Sequence, residues 1–320
     1  MTPSQSCKQR VGLCLPLIAA SCLLLTNVEA RADEAPTDRK LFDAPEDGVK
    51  ALKAAAEAKD RDALQELFGP KIKELESGDE VQDKQVCEQF ARRLAKSSRL
   101  VREGDDTAII HIGVEDHPFA VPLVQISKKW FFDTEAGLDE MINRRVGENE
   151  LNAISVCRGY VTAQREYQLE DRDGDDVLEF AQRLASSAGK KDGLYWEVKS
   201  DEPLSPLGPL VAEARAEGYA KSDSASSGAP QPYQGYVFRI LTRQGDKAPG
   251  GKFDYVINGH MVAGFALIAT PVEWGSSGVM TLMVGPNGRI YQKDLGDKTT
   301  ELAGKIDEFN PADGWSATND

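Results

Sequence analysis

The stretch NELNAISVCRGYVTAQREYQL, residues 149–169, decides the fold of this 320-residue chain. Its apolar residues recur at steps of three and four, the spacing that places side chains on one face of an α-helix. They form two adjacent rows: Ala153, Val156, Tyr160, Ala163 and Tyr167, and Leu151, Ile154, Cys157 and Val161. Because the two rows together cover a wide band of the helix surface, the sequence predicts that this helix is the buried spine of a domain.

The residues after the spine helix supply strands that can cover it. A short helix is predicted at 177–188, and the Pro-rich segment 193–228 holds another at 208–218. Strand patterns then follow at 236–243, 253–257, 261–270, 278–284 and 289–293. Asn287-Gly288 is a tight-turn signal between the last two strands. A long helix packed on an antiparallel sheet, over residues 134–318, is the order of elements of a pilin-like domain.

The residues before the spine helix predict a smaller unit over 42–133. Helical patterns at 44–58, 60–68 and 83–96 precede strand patterns at 99–103, 107–112, 121–126 and 129–132. This unit resembles the cone-shaped domains similar to nuclear transport factor 2, which often hold a ligand pocket. A further helix from Asp133 or Thr134 to Arg145 is separated from the spine helix by Gly147. The fold class predicted for the whole chain is α+β.

Several stretches of the mature chain resemble a family of bacterial exported proteins, domain of unknown function family 2950. They are FDTEAG at 132–137, NEL at 149–151, VCRGY at 156–160, AQREY at 163–167, DGLYW at 192–196, PYQGY at 232–236, GFAL at 264–267 and GSSGVM at 275–280. The resemblance extends from about residue 42 to 318. It implies export and a shared fold, and it assigns no chemistry.

The first 32 residues have the three parts of a secretory signal peptide. Lys8 and Arg10 form a basic head, residues 11–25 an apolar core, and Ala30-Arg31-Ala32 the cleavage site. The apolar core is shorter than the roughly 20 residues that a membrane-spanning helix needs. We therefore expect a mature chain that starts near Asp33, lies in the periplasm or outside the cell, and has no membrane-spanning segment.

A lipid anchor at Cys22 is the alternative to this cleavage. Small residues, Ala19-Ala20-Ser21, precede Cys22, as in lipoprotein signals. However, the position three before the cysteine is Ala rather than Leu, and the apolar core continues past the cysteine through Leu23–Leu25. These two features favour cleavage before Asp33 over lipid attachment.

After removal of the leader, Cys87 and Cys157 are the remaining cysteines. In an oxidising compartment two cysteines can form a disulfide, which here would join the two predicted domains. The alternative is that both are small apolar residues of a core. The sequence leaves both interpretations open.

The chain is acidic, with a formal net charge of −14. The leader carries three basic residues and one acidic residue, so its removal makes the charge −16. An acidic surface repels phosphate backbones and anionic bilayers. We therefore expect no nucleic-acid partner, whereas a protein partner in the envelope is compatible with this charge.

An acidic loop, DRDGDD at 171–176, is the candidate metal site. Asp171, Asp173 and Asp175 place carboxylates at alternate positions, as a calcium-binding loop requires. Relative to an EF-hand, Asp176 stands where Gly is needed and Gln182 stands where the bidentate Glu belongs. The alternative is a solvated turn that ends a helix.

Catalytic and recognition residues are harder to assign. His111, His117 and His260 lie on or beside predicted strands, where a structural histidine is common, and GSSG at 275–278 is too short for a nucleophile elbow. Six aromatic residues near turns form a recognition patch if they share one surface, and core edges if they do not: Tyr195, Trp196, Tyr233, Tyr236, Trp274 and Trp315.

These observations favour an exported envelope protein with a noncatalytic binding or structural role, such as assisting the assembly of another exported component. No catalytic residue is assigned. One alternative is a periplasmic hydrolase that uses a pocket in the N-terminal cone or near His260. Another is a calcium-dependent adhesive module that uses the acidic loop.

Overall fold

The computed structural model of the chain describes residues 35–172, 174–199, 201–217, 219, 232–312 and 314–318. The predicted leader with Cys22, and Asp173 of the acidic loop, lie outside these residues. The described part combines α-helices with antiparallel sheets, which confirms the α+β class. None of its helices has both the length and the apolarity needed to cross a bilayer.

The N-terminal unit consists of helices that cover one face of a sheet. Its elements are α1 (Pro45–Ala58), α2 (Arg61–Phe68), a 3₁₀ helix (Pro70–Leu75), α3 (Glu80–Lys96), β1 (Ser98–Arg102), β2 (Thr107–Ile112), β3 (His117–Pro118), β4 (Leu123–Ile126) and β5 (Lys129–Phe132). The antiparallel strand order is β1-β2-β4-β5, and β3 also pairs with β2. Leu52, Phe68, Leu123 and Phe132 belong to the apolar core between the layers. All seven predicted elements are present, and β3 is an addition.

A single helix, α4 (Thr134–Tyr167), connects the two units, and the predicted break at Gly147 is wrong. A glycine inside a helix costs only about 1 kcal/mol. Packing outweighs that cost at both ends of α4. Near its start, Gly137 lies so close to the N-terminal unit that an added Cβ would be 2.6 Å from the Ala120 carbonyl oxygen. Toward its end, Tyr160 and Tyr167 lie in the C-terminal core.

The C-terminal unit is a sheet packed against the second half of α4. Its elements are α5 (Gly208–Ala216), β6 (Tyr236–Leu241), β7 (Arg243–Gln244), β8 (Phe253–Asp254), β9 (Val256–Ile257), β10 (His260–Met261), β11 (Ala266–Pro271), β12 (Met280–Val284), β13 (Ile290–Asp294), α6 (Thr299–Gly304) and β14 (Ser316–Ala317). The main sheet is antiparallel with the order β14-β13-β12-β11-β6, and β7-β8 and β9-β10 are separate ribbons. Its strands pair with one another and not with those of the N-terminal sheet.

The spine prediction for residues 149–169 is confirmed. Ala153, Cys157 and Tyr160 are at most 2% exposed, and the Tyr160 hydroxyl donates a hydrogen bond to the Ala266 carbonyl on the interior strand β11. Leu151 is 68% exposed, so the apolar band is narrower than the sequence predicts. The helix therefore carries one buried face, which is narrower than the predicted wide band.

The helix predicted at 177–188 is wrong, because this segment is irregular and forms isolated β-bridges at Phe180 and Ala185. Its backbone finds hydrogen-bond partners elsewhere in the fold: the Phe180 amide donates to the Met261 carbonyl at 2.8 Å. The buried Gln164 side chain bonds both the amide and the carbonyl of Ala181, each at 2.8 Å. Tertiary partners therefore override the local helical pattern.

Candidate functional site

A group of buried polar side chains lies where the two units meet beside α4. We call this group the polar junction and define it by five residues: Asp79, Gln82, Asn149, Gln234 and Ser277. All except the half-buried Gln234 are at most 5% exposed. They come from the start of α3, the middle of α4 and the turns before β6 and β12, so four distant segments are joined at one point.

Asn149 is at the centre of the polar junction. Its Nδ2 donates to the Ser277 carbonyl at 2.8 Å and to Gln82 Oε1 at 3.2 Å, while Gln82 Nε2 donates back to Asn149 Oδ1. Gln82 Nε2 also donates to Gln234 Oε1 at 3.0 Å. Hydrogen bonds of this kind are strong in a low-dielectric interior, and each broken one leaves a costly unpaired group. The network therefore permits one relative placement of these segments.

Asp79 is a buried carboxylate that is satisfied by neutral donors. Its Oδ2 accepts hydrogen bonds from the Tyr219 hydroxyl at 2.8 Å and the Gly235 amide at 3.1 Å, and its Oδ1 caps α3 at the Gln82 amide. Within the described ranges, no Lys or Arg pairs with Asp79. Burial, together with the hydrogen bond to Asp79, raises the pKa of Tyr219, so this phenol stays a neutral donor.

The turn Gln234-Gly235 fits closely against Asn149. Both residues have positive φ, 49° and 73°, a region that glycine tolerates best. A Cβ added to Gly235 would lie only 2.3 Å from Asn149 Nδ2. Glycine at this position therefore permits the close approach of the turn to α4.

A second set of contacts holds the segment GSSGVM, residues 275–280, against α4. Arg145 donates through Nε to the Ser276 carbonyl at 2.9 Å and through Nη2 to its hydroxyl at 2.8 Å. Arg145 Nη1 also reaches the Leu75 carbonyl of the N-terminal unit. One carboxylate oxygen of Glu150 accepts the amides of Val279 and Met280, each at 3.0 Å. This segment therefore serves as a docking turn for α4.

A cleft of about 70 Å³ opens beside the polar junction. We call it the junction cleft; its lining residues are Asn152, Ser155, Val156, Leu210, Glu213, Glu217, Tyr233 and Gln234. The Glu217 carboxylate accepts a hydrogen bond from Gln234 Nε2 at 2.8 Å, which connects the cleft to the junction. Burial raises the pKa of Tyr233, whose phenol is therefore a neutral group. The cleft has the size and polarity to take the end of one polar side chain.

The acidic loop uses its described carboxylates to bond its own backbone. Asp171 accepts the amides of Gly174 at 2.7 Å and Asp176 at 2.9 Å, and Asp175 accepts the amide of Val177 at 2.9 Å. Asp173 lies outside the described residues. Among those that are described, no group of three or more His, Cys, Asp or Glu residues has the arrangement of a metal site. Calcium binding by this loop stays a prediction.

The structure brings the acidic loop and His260 together, which the sequence does not predict. His260 Nδ1 lies 3.3 Å from Asp175 Oδ2 and 3.5 Å from Glu179 Oε2. Two carboxylates beside an imidazole can orient a general base. In the part of the chain that is described, no hydroxyl or thiol forms a hydrogen bond with His260.

The other two histidines lie on strands of the N-terminal sheet. His111 Nδ1 lies 3.2 Å from a carboxylate oxygen of Asp116, which also pairs with Arg99. His117 is exposed on β3. Neither residue lines the junction cleft. His111 therefore belongs to a surface ion-pair cluster.

The cysteines and aromatic residues lie in different surroundings. Cys87 is exposed on α3 and Cys157 is fully buried in the C-terminal core; both are free thiols, so the structure does not join them. Tyr236 is fully buried, Trp196 packs against the C-terminal core, and Trp274 is 38% exposed. These differences are typical of core edges rather than of one flat recognition patch.

Sequence reasoning missed the polar junction as a site. One signal was available. Asn149 is a polar residue that stands four residues before Ala153, in line with an apolar row of the helix. Another was the set of stretches that carry the family resemblance. Asn149-Glu150, Gln234-Gly235 and Ser276-Ser277 belong to three of those stretches, and the structure brings all three together.

Comparison with known proteins gives one match. The family model described as "Protein of unknown function (DUF2950)" matches residues 39–318. No curated protein and no solved structure matches the chain, and the likenesses to nuclear transport factor 2 and to pilins are not confirmed. The matched range includes both units, α4 and every residue of the polar junction. The chain therefore belongs to the DUF2950 family of proteins of unknown function.

Proposed function

We propose that this protein is an exported, noncatalytic binding or structural protein of the cell envelope, which assists the assembly of another exported component. In this proposal the junction cleft binds a basic side chain of the partner protein. The observation that carries the proposal is the position of the cleft directly beside the buried polar junction, to which Gln234 and Glu217 connect it.

Rigidity supports a binding role for the cleft. Its walls come from α4, from the region of α5 and from the turn before β6, and the hydrogen bonds of the polar junction hold that turn against α4. A preformed site loses little conformational entropy when it binds a ligand. A buried polar network that orients two units therefore also prepares the cleft for a partner.

Charge supports a cationic ligand. Glu213 and Glu217 line the cleft, and neither forms an ion pair with a Lys or Arg of the described ranges. The Tyr233 ring adds an aromatic wall, and such rings attract cations. The lysine ammonium or arginine guanidinium of a partner fits both features, and the net charge of −14 favours approach of a basic surface.

Site-specific photocrosslinking in the native envelope tests this proposal. A photoreactive residue at Ser155, exposed at the cleft, is compared with one at Asn143, exposed on the same helix away from the cleft. We expect a reproducible protein adduct from position 155 only, and its loss when Glu213→Gln is added. No adduct, or the same adducts from both positions, would refute the binding role.

A hydrolase is the second candidate, because His260 lies beside Asp175 and Glu179. Purified mature protein is assayed with chromogenic ester, peptide and glycoside substrates, alongside the His260→Ala variant. The binding proposal expects no turnover by either protein. Turnover that His260→Ala abolishes would establish the hydrolase instead.

N-terminal sequencing of the exported protein tests the proposed location. We expect a mature chain that starts near Asp33, and a lipidated Cys22 would contradict cleavage at that site.

A further inference from the structure

We infer that Asn258, in the turn between β9 and β10, is a site of spontaneous modification, at which the side-chain amide is converted into a carboxylate. The sequence contains two Asn-Gly pairs, Asn258-Gly259 and Asn287-Gly288. A glycine after asparagine lets the asparagine side chain reach the next backbone nitrogen, because glycine has no side chain in the way. The surroundings of the two pairs differ, and they favour modification at Asn258. The inference uses no residue of the junction cleft, so it is independent of the proposed function.

The modification needs only water as a co-reactant. The backbone nitrogen of Gly259 attacks Cγ of Asn258, the Cγ–Nδ2 bond breaks, and ammonia leaves with the proton of the Gly259 amide. The product is a cyclic succinimide, which water then opens at either of its carbonyls. Opening at Cγ gives aspartate. Opening at the main-chain carbonyl gives isoaspartate, in which the backbone runs through the former side chain.

The reacting groups of Asn258-Gly259 are unhindered. Both residues are exposed, and a Cβ added to Gly259 would meet no atom within 4 Å. Within the described ranges, neither the Asn258 side chain nor the Gly259 amide forms a hydrogen bond. Gln182 Nε2 donates to the Gly259 carbonyl at 2.6 Å, which leaves the Gly259 nitrogen free to attack. No hydrogen bond of the reacting groups therefore has to break before the ring closes.

The reacting groups of Asn287-Gly288 are both held by hydrogen bonds. Asn287 Oδ1 accepts the Arg289 amide at 3.0 Å, and the Gly288 amide donates to the Gly285 carbonyl at 3.0 Å. Asn287 is exposed, as Asn258 is, so exposure alone does not distinguish the two pairs. Attack at Asn287 requires both hydrogen bonds to break, and each broken bond raises the barrier. The second pair is therefore protected by its own turn.

Modification at Asn258 changes the position of His260. Asn258 and Gly259 form a two-residue hairpin turn with positive φ, 53° and 93°, which pairs Ile257 with His260. The length of such a turn fixes the register of the hairpin. Isoaspartate adds one atom to the backbone of this turn, so the register cannot be kept. The His260 ring, 3.3 Å from Asp175 Oδ2, is then displaced from its carboxylate neighbours.

Peptide mapping by mass spectrometry tests the inference on the folded mature protein, after incubation at neutral pH in oxygen-labelled water. Each ring opening takes one oxygen from water, so the label marks conversion during the incubation. We expect labelled product at position 258 to form about tenfold or more faster than at position 287, where two hydrogen bonds must break first. Asn258→Gln is the control, because its longer side chain must close a larger ring, and position 258 should then stay unlabelled.

Incubation in denaturant separates the effect of structure from that of the neighbouring sequence. The hydrogen bonds at Asn287 are absent from the unfolded chain, so both positions should convert at similar rates. The inference would be overturned by no conversion at Asn258, by equal rates in the folded protein, or by the same rate ratio in folded and unfolded protein.

Hydrogen exchange tests the consequence for the hairpin. The isoaspartyl fraction of aged protein, separated by ion exchange, should lose amide protection in β9 and β10, whereas Asn258→Gln should keep it. Unchanged protection in the isoaspartyl fraction would contradict the displacement of His260.

Discussion

Asn149 and Tyr160 lie on the same helix and are equally buried, yet their surroundings differ completely. Tyr160 packs among apolar side chains of the C-terminal core, including Phe265 at 5.7 Å between ring centres. Asn149 is instead hydrogen-bonded to the Gln82 side-chain amide and to the Ser277 carbonyl. Apolar contacts tolerate small displacements, whereas hydrogen bonds require a narrow range of donor–acceptor distances and angles. The comparison teaches that the apolar core buries one face of α4, while the polar junction sets the orientation of the two units.

The largest effect on stability is expected for a substitution in the apolar core of the C-terminal unit. Phe265→Ala removes a ring that contacts both Tyr160 and Phe180, and we expect a loss of about 4 kcal/mol in the free energy of unfolding. Chemical denaturation measures this loss. The control is Leu151→Ala, 68% exposed on the same helix, which should change stability by less than about 0.5 kcal/mol. Similar losses in both variants would contradict the assignment of the core.

A smaller loss in the free energy of unfolding is expected for a substitution in the polar junction. Asn149→Ala removes the partners of Gln82 and of the Ser277 carbonyl, and we expect a loss of about 2 kcal/mol. Asn143→Ala, at an exposed position of α4, is the control in the same denaturation experiment. A loss no greater than that of the control would show that the polar junction contributes nothing to stability.

A comparison of two glycines measures how closely the turn at Gly235 packs against Asn149 in the polar junction. Gly235 and Gly104 both have positive φ, 73° and 82°, but only Gly235 has Asn149 against it, while an added Cβ at Gly104 meets no atom within 4 Å. We expect Gly235→Ala to cost about 1 kcal/mol more than Gly104→Ala. In the double variant with Asn149→Ala this excess should shrink, because the clashing side chain is gone. Equal costs for the two glycine variants would contradict the packing.

An ion pair near the start of α4, between the buried Arg39 side chain and the partly exposed Glu135, should contribute less to stability than the polar junction. Glu135 receives two hydrogen bonds from Arg39, which hold the pKa of Glu135 below its usual value of 4.5. A depressed folded-state pKa means that the stabilisation is present above about pH 4.5 and is lost as pH falls further. Because Glu135 is 41% exposed, we expect less than about 1 kcal/mol. Denaturation at pH 6 and pH 3 should show a smaller pH dependence for Glu135→Gln; an unchanged dependence would contradict this.

The smallest effect is expected at the loop after α4. The Asp171 and Asp175 carboxylates already accept backbone amides, as in a helix-ending turn. We therefore expect the same thermal midpoint with calcium and with chelator. A clear upward shift with calcium would establish a structural calcium site by linkage, with Asp173 as a further ligand.

Local patterns predicted the elements, and long-range contacts decided the exceptions. The helix at 45–58 follows from apolar spacing within its segment, so it was predictable. The strand predicted at 261–270 is instead divided into β10 and β11. The continuity of α4 through Gly147 depends on packing at both of its ends. The irregular conformation of 177–188 likewise depends on Gln164 and Met261, which belong to other elements.

The polar junction was beyond sequence reasoning for the same physical reason. Gln82 and Asn149 are 67 residues apart, and Asp79 and Gly235 are 156 apart. Polar side chains carry no periodic signal that indicates their partner, and the partner depends on where each turn ends. Two indirect signals pointed to it: the polar position of Asn149 in line with an apolar row, and the stretches that carry the family resemblance.

Native-state hydrogen exchange tests most directly whether the polar junction makes one cooperative body of the two units. The measurement compares the slowest-exchanging amides of β2, in the N-terminal sheet, with those of β11, in the C-terminal sheet. We predict one shared free energy of exchange for both strands in the wild type, and two separate values in Asn149→Ala. Two distinct values already in the wild type, unchanged by Asn149→Ala, would contradict the account.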